Sequence, residues 1–206
     1  LEADKVAGGG VFVHFDNISG KKAEVYVDTE VHNSGKRTRT VAVETVLADA
    51  GDVPVKRVSQ QVKLQAGESK TVRQRFAVRN PKLWSPDSPY LYRIQSRVKA
   101  GHEVLDGGVT RVGIRKAEFK GKDGFWLNGK PFGQLVGANR HQDFAYVGNA
   151  LPNSQQWRDA KRLRDAGCTI IRVAHYPQDP AFMDACDEMG LFVIVATPGW
   201  QYWNKN

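Results

Sequence analysis

Two histidines, His141 and His175, each follow a short apolar run of the sequence. The stretches that hold them, residues 133–143 and 169–177, each predict a strand that ends in polar side chains, and a third lies at 191–200. Neighbouring parallel strands end at the same edge of a sheet, so we expect the two imidazoles to lie close together. Imidazole donates and accepts hydrogen bonds, which suits a ligand rich in hydroxyl groups. The alternative is that each is an ordinary solvated loop histidine.

Arg172 lies within the second of these strands, over residues 169–174. Ile171 and Val173 point to one side of the strand and Arg172 to the other. If the apolar pair meets the helices, Arg172 points to the inner side of the sheet. Burying an arginine is costly unless it is paired. Arg172 therefore either forms a structural ion pair inside a barrel or orients an anionic catalytic group or the oxygens of a ligand.

Three aromatic residues, Trp200, Tyr202 and Trp203, follow the third strand. They could form an apolar platform for a sugar ring, or they could simply cover the open end of the sheet. Elsewhere, no group of histidines, cysteines and acids has the spacing of metal ligands, so the sequence predicts neither a metal nor another cofactor.

Helices are predicted between the three strands. The first covers 154–166, with Asn153 as its N-cap and Gln156 as the partner of a capping box. The second begins at Asp179 and Pro180, a residue pair typical of helix starts. Strand, helix, strand, helix, strand is the order of a parallel sheet covered by helices. The apolar helix faces comprise Trp157, Ala160 and Leu163 in the first, and Phe182, Ala185, Cys186 and Met189 in the second.

The first half of the chain shows a different pattern, in which apolar and polar residues alternate with period two. Such alternation, with turns every 8–12 residues, predicts an antiparallel sandwich of immunoglobulin type. The Asn128-Gly129 pair predicts a hairpin that follows it. We therefore predict two domains, residues 1–116 and 117–206. The predicted sandwich strands are 11–15, 22–33, 38–48, 55–65, 69–78, 90–100, 102–106 and 109–115.

Charge and cysteine content exclude several classes of protein. The net charge is +8, and residues 1–116 hold 20 Lys and Arg against 13 Asp and Glu, which leaves +7 in that half. The arginines of 71–78 alternate with apolar residues, as on the outer face of a strand, so we predict no nucleic-acid partner. No apolar run is long enough to cross a membrane. Cys168 and Cys186 are predicted to be free thiols rather than a disulfide.

Six motifs follow one another along the chain: PKLWSP (81–86), PYLY (89–92), VGIR (112–115), LNGKP (127–131), NRH (139–141) and RVAHYPQDP (172–180). Together they resemble glycoside hydrolase family two, the group of β-galactosidases, β-glucuronidases and β-mannosidases. The resemblance covers about residues 11–200. It implies the middle sandwich domain of that family, followed by the first three strands of its (β/α)8 TIM barrel. It also implies that His141 and His175 line the sugar subsite, with Asn139 and Arg172 as supports.

The same resemblance implies that the chain is an internal fragment of a retaining exo-β-glycosidase of β-galactosidase type. The chain also begins with Leu1 instead of Met. The retaining mechanism needs two glutamates about 5 Å apart, and the family takes both from later barrel strands, so this chain alone is expected to be inactive. Gln142 stands where family members often have Glu, and Ala196-Thr197 where many have Asp-Glu. The alternative is a non-catalytic carbohydrate-binding or assembly module. An unfinished barrel has bare edges, which predicts self-association or partial disorder over 134–206.

Overall fold

The computed structural model describes residues 10–196 of the 206. These residues form two compact units. The first unit comprises the residues up to Leu83 together with Leu91–Arg115, and the second comprises Trp84–Tyr90 and the residues from Lys116 onward. Residues 84–90, which the sequence pattern assigned to the sandwich, therefore belong to the second unit. Within the described range, no helix is both long enough and apolar enough to span a bilayer.

The first unit is a sandwich of two antiparallel sheets. One sheet has the order β1-β2-β5 and the other β4-β3-β6-β7, which confirms the predicted immunoglobulin-like architecture. The strands are β1 (Val11–Asp16), β2 (Lys22–His32), β3 (Arg39–Ala48), β4 (Pro54–Leu64), β5 (Ser69–Arg79), β6 (Tyr92–Ala100) and β7 (Glu103–Val112).

Alternation along β2 gives the sandwich its core. Val25 and Val27 are fully buried, while Tyr26 between them is only half-buried. Among the polar core residues, Gln74 donates from Nε2 to the carbonyl oxygen of Val43 (3.0 Å) and accepts from the hydroxyl of Thr45. These bonds satisfy an amide that would otherwise be costly to bury.

One prediction for the sandwich was wrong. Residues 102–106 and 109–115 were expected to form separate strands around Gly107-Gly108, but Glu103–Val112 form the single strand β7, which pairs with β6, and residues 113–115 lie beyond its end. A Cβ atom on Gly107 would lie 2.7 Å from the carbonyl oxygen of Ser96. The glycine is therefore needed for close approach of two strands, not for a turn.

Much of the positive charge of the first unit is paired on its surface. Arg75 contacts Glu24 at 2.6 Å, and Arg73 contacts Asp28 at 3.4 Å. Hydrogen bonds from Lys22, Arg75 and Asn17 lower the pKa of Glu24 to about 2. The alternating arginines thus form the outer face of a half-buried strand, as the sequence predicted.

The second unit opens with a small antiparallel sheet that contains the predicted hairpin. Its strands are β8 (Ala117–Phe119), β9 (Phe125–Leu127) and β10 (Lys130–Gly133), in the order β10-β9-β8. Asn128 and Gly129 link β9 to β10 with φ angles of 53° and 80°. Both residues tolerate positive φ, which is what a two-residue turn of this kind requires.

A parallel sheet with two helices follows, which confirms the predicted beginning of a TIM barrel. Its strands are β11 (Gly137–Arg140), β12 (Ile170–Val173) and β13 (Phe192–Val195), in that spatial order, and its helices are α1 (Asn153–Asp165) and α2 (Pro180–Met189). The helices pack on one face of the sheet. The buried residues of that layer are Ala160, Ile171, Val173, Phe182, Ala185, Cys186 and Leu191.

The predicted caps are confirmed for α2, but the predicted N-cap of α1 is wrong. In α2, the Oδ1 atom of Asp179 accepts from the backbone N–H of Ala181 at 2.8 Å, and Gly190 ends the helix with φ of 74°, as predicted. In α1, the predicted cap is wrong, because Pro152 is the N-cap and Asn153 is the first helical residue. The predicted capping-box partner, Gln156, is fully buried and hydrogen-bonds to Arg140 instead.

Residues 84–90, here called the Trp84 insert, pack into the second unit. Trp84 is fully buried and donates from Nε1 to the carbonyl oxygen of Asp187 in α2 at 2.8 Å. Its ring meets that of Phe192 edge-on, with 5.3 Å between centroids. Arg164 of α1 donates to the carbonyl oxygen of Pro86 at 3.0 Å. The insert therefore ties both helices and β13 together at one end of the unit.

Both cysteines are free thiols, as predicted. Cys168 is half-buried, whereas Cys186 is 1 % exposed within the helix layer. Burial raises the pKa of the Cys186 thiol to about 12. Cys186 is therefore protected from thiol reagents for as long as the second unit stays folded.

Candidate functional site

The rings of His141 and His175 lie side by side. Their centroids are 5.3 Å apart and their planes meet at 82°. Arg140, the last residue of β11, pairs with Val173, the last residue of β12, so the chain reaches both histidines at the same edge of the sheet. The predicted adjacency is confirmed. Its cause is the parallel register, which brings two loop positions together although they are far apart in sequence.

A hydroxyl and a carboxylate lie next to this pair. The ring of Tyr176 is 6.5 Å from that of His141 between centroids. Its hydroxyl accepts from the backbone N–H of Gln142 at 3.0 Å and donates to the Oδ1 atom of Asp143 at 3.1 Å. The Oε1 atom of Gln142 accepts from the backbone N–H of Asp179 at 2.6 Å. Gln142 thus anchors the loop after β11 to the start of α2.

Asn139 and Arg172 lie on the inner face of the sheet, opposite the helices. They are paired in the β11–β12 register, and the Nη1 atom of Arg172 is 3.5 Å from the Oδ1 atom of Asn139. Both line an open cavity of about 350 Å³, together with Gly137, Ala138, Ile170 and Ile194. Among residues 10–196, no carboxylate forms an ion pair with Arg172. The prediction that it points inward is confirmed, and of the two alternatives for its role, the structural ion pair is absent from this range.

The arginine that is buried and paired is Arg140, which the sequence reasoning had not selected. It is 6 % exposed. Its Nη2 atom donates to the Oδ2 atom of Asp159 at 2.8 Å and to the Oε1 atom of Gln156 at 2.7 Å. Its guanidinium carbon lies 4.0 Å from the ring centroid of Phe182. Strand parity was the missed signal, because the residue after Asn139 must face the helices if Asn139 faces inward.

Arg140 also joins the two strand ends through its backbone. Its carbonyl oxygen accepts from the N–H of Ala174 at 2.9 Å and from the Nε2 atom of Gln178 at 2.6 Å. In return, the Nη1 atom of Arg140 donates to the Oε1 atom of Gln178 at 2.6 Å. The segment that carries His175 is therefore bound to the residue that precedes His141.

The structure thus brings four of the five predicted site residues into one region: His141 and His175 at the strand ends, and Asn139 and Arg172 on the adjoining inner face. Trp200, the fifth, lies outside the described residues, as do Tyr202, Trp203 and Thr197. Within the part of the chain that the structure describes, no three histidines, cysteines or acids are grouped as they would be around a metal ion. The region is one of hydrogen-bonding groups and suits a polar, hydroxyl-bearing ligand.

Two family models match this chain. The model of glycosyl hydrolases family 2 matches residues 10–115, and the TIM barrel domain of the same family matches residues 118–204. The two matches follow each other in the order of the sandwich and the parallel sheet, and the first alone covers about half of the chain.

Known proteins of that family are similar to the chain in sequence and in fold. A β-galactosidase of Thermoanaerobacter pseudethanolicus is 36% identical over 193 residues, which are 93% of this chain and 25% of that protein. A crystal structure of a family 2 member from Bacteroides cellulosilyticus superposes with a TM-score of 0.85 at 33% identity, covering 91% of this chain and 26% of that one. A Bacteroides uniformis β-glucuronidase gives a TM-score of 0.85 at 30% identity, covering 89% and 22%. The chain spans about a quarter of the length of these relatives.

Proposed function

Because the chain belongs to the glycosyl hydrolases of family 2, we propose that it supplies the sandwich and the first barrel strands of a retaining exo-β-glycosidase. The observation that carries this proposal is the pair of imidazoles at the carboxyl edge of β11 and β12, 5.3 Å apart between ring centroids. Two hydrogen-bonding rings at this spacing can contact hydroxyls of one sugar ring. The substrate class that we propose is a terminal β-linked sugar, galactoside or glucuronide, as the names of the relatives suggest.

In this proposal, the described residues bind and orient the sugar, and they do not break the bond. Retaining hydrolysis needs a carboxylic acid and a carboxylate about 5–5.5 Å apart on either side of the glycosidic bond. We propose that those two groups come from residues outside this chain. His141 and His175 hold hydroxyls of the terminal sugar, while Arg172 and Asn139 line the cavity beneath it. Trp200 is proposed as an apolar platform for the sugar ring.

The test is hydrolysis of p-nitrophenyl β-galactoside and β-glucuronide by two proteins, the 206-residue chain and the complete gene product that carries it. We expect turnover by the complete product, with retention at the anomeric carbon by NMR, and none by the 206-residue chain. Turnover by the repurified chain, inversion, or an inactive gene product would contradict the proposal. Saturable sugar binding without turnover by the complete product, measured by calorimetry, would favour a non-catalytic carbohydrate-binding module instead.

We also propose that the 206-residue chain associates with itself through the edges of the parallel sheet. Among the described residues, β11 and β13 are edge strands, and Ile194 and Val195 of β13 are each about half exposed. Unpaired edges and exposed apolar side chains favour pairing with a second copy. Light scattering should give an apparent molar mass that rises with protein concentration. Replacing Ile194 with lysine should lower that apparent mass at a given concentration. A concentration-independent monomer would contradict this expectation.

A further inference from the structure

We propose that Arg140 and Gln178 form a clamp that fixes the separation of the two imidazoles. Both are positioning residues, which act through His141 and His175 and not by touching the sugar. The consequence for catalysis depends on the proposed glycosidase function, whereas the effect on ring geometry does not.

The clamp is a reciprocal pair of hydrogen bonds. Arg140 donates from Nη1 to the side-chain oxygen of Gln178, and Gln178 donates from Nε2 to the backbone oxygen of Arg140, each at 2.6 Å. The two residues are only 6 % and 9 % exposed. Water therefore competes poorly for either bond, and the charge on the guanidinium strengthens the first.

The clamp has a fixed base on the helix side. The guanidinium of Arg140 also donates to Gln156 and Asp159 of α1, and it lies over the ring of Phe182 in α2. Residues of two helices thus hold one side chain, so Arg140 has little freedom to move. Because the backbone of Arg140 continues directly into His141, this anchoring also fixes the position of the His141 backbone.

The second imidazole is tied down on both sides. Ala174, just before His175, donates its N–H to the backbone oxygen of Arg140 at 2.9 Å. Gln178, three residues after His175, donates to the same oxygen. One carbonyl group next to His141 therefore receives a bond from each flank of the loop that carries His175. The hydroxyl of Tyr176 adds a second link between the two segments, on the other side of the histidines, by accepting from the backbone N–H of Gln142 at 3.0 Å.

Catalysis depends steeply on such spacing, because a misplacement of about 1 Å can cost roughly 100-fold in rate. Gln178→Glu separates the two halves of the clamp: the carboxylate still accepts from Arg140, but it has no donor for the backbone oxygen of Arg140. Since the ion pair with Arg140 remains, this variant should fold. The matched control is Gln155→Ala, because Gln155 is equally buried and bonds to Asp159, but not to Arg140.

The first readout is the geometry of the rings in the 206-residue chain. The chain has five histidines, so histidine-selective labelling gives a readable NOE spectrum. We expect a cross-peak between the ring protons of His141 and His175 that persists in Gln155→Ala and is lost in Gln178→Glu, with unchanged signals from His14, His32 and His102. A cross-peak that survives in Gln178→Glu would overturn the clamp.

The second readout is the kinetics of the complete gene product, well below its melting temperature. Gln178→Glu should lower kcat/KM by roughly 100-fold, while Gln155→Ala should change it less than about threefold. An unchanged kcat/KM in Gln178→Glu would overturn the positioning role. If the wild-type product hydrolyses no β-glycoside, the proposed function fails, and the NOE comparison still decides the clamp.

Discussion

Replacing His175 with alanine in the complete gene product should lower kcat/KM on β-glycosides by roughly 100-fold, which corresponds to about 2.7 kcal/mol. The same loss is expected for His141→Ala, because both rings lie at one strand edge. Hydrogen bonds to sugar hydroxyls strengthen in the oxocarbenium-like transition state and contribute several kcal/mol in retaining glycosidases. We therefore expect kcat as well as KM to change.

A matched control exists for this prediction. His102 is an exposed histidine of the sandwich unit, so His102→Ala makes the same chemical change away from the site. Its kcat/KM should equal that of the wild type. Wild-type kinetics in His175→Ala, or an equal loss in His102→Ala, would contradict a binding role for the pair.

Replacing Gly190 with alanine should destabilise the second unit by about 2–4 kcal/mol. Two effects add. Gly190 has φ of 74°, a conformation that alanine adopts at a cost, and the new Cβ would lie 2.2 Å from the carbonyl oxygen of Pro86. Backbone atoms cannot swing aside as the end of a side chain can, so the Trp84 insert would have to move away from α2.

Gly167→Ala separates these two effects. Gly167 also has positive φ, 86°, but a Cβ there would meet nothing within 4 Å. This variant should therefore lose only the conformational part, about 1 kcal/mol. The measurement is the denaturant dependence of Cys186 alkylation, which reports opening of the unit around that buried thiol. Equal destabilisation by the two variants would show that the contact with Pro86 contributes nothing.

The sequence correctly predicted the elements whose structure depends on residues close together in the chain. Alternation along β2 identified its buried face, and the cap at Asp179 with the stop at Gly190 bounded α2 within a residue. The adjacency of His141 and His175 followed from a general property of parallel sheets. In each case, the residues that decide the structure lie within one element or one supersecondary unit.

The missed features depend on contacts between distant parts of the chain. Trp84 hydrogen-bonds to Asp187, 103 residues further on, and no periodic pattern in the sequence indicates that contact. Gly107 lies mid-strand because the backbone of Ser96 passes close to it. Strand parity could have placed Arg140 on the helix side, but its partners Asp159 and Phe182 lie on two helices that its own strand does not reveal. The sequence pattern offered a structural ion pair for Arg172 as one of two alternatives, and it offered none for Arg140.

The central claim is that His141 and His175 hold the same sugar, and a double-mutant cycle on kcat/KM tests it most directly. The cycle compares His141→Ala, His175→Ala and the variant with both changes, in the complete gene product. If one ligand touches both rings, the losses are coupled, and the double variant loses clearly less than the product of the two single losses. A loss in the double variant equal to the product of the two single losses would contradict the account. Single variants that keep the wild-type kcat/KM would contradict it as well.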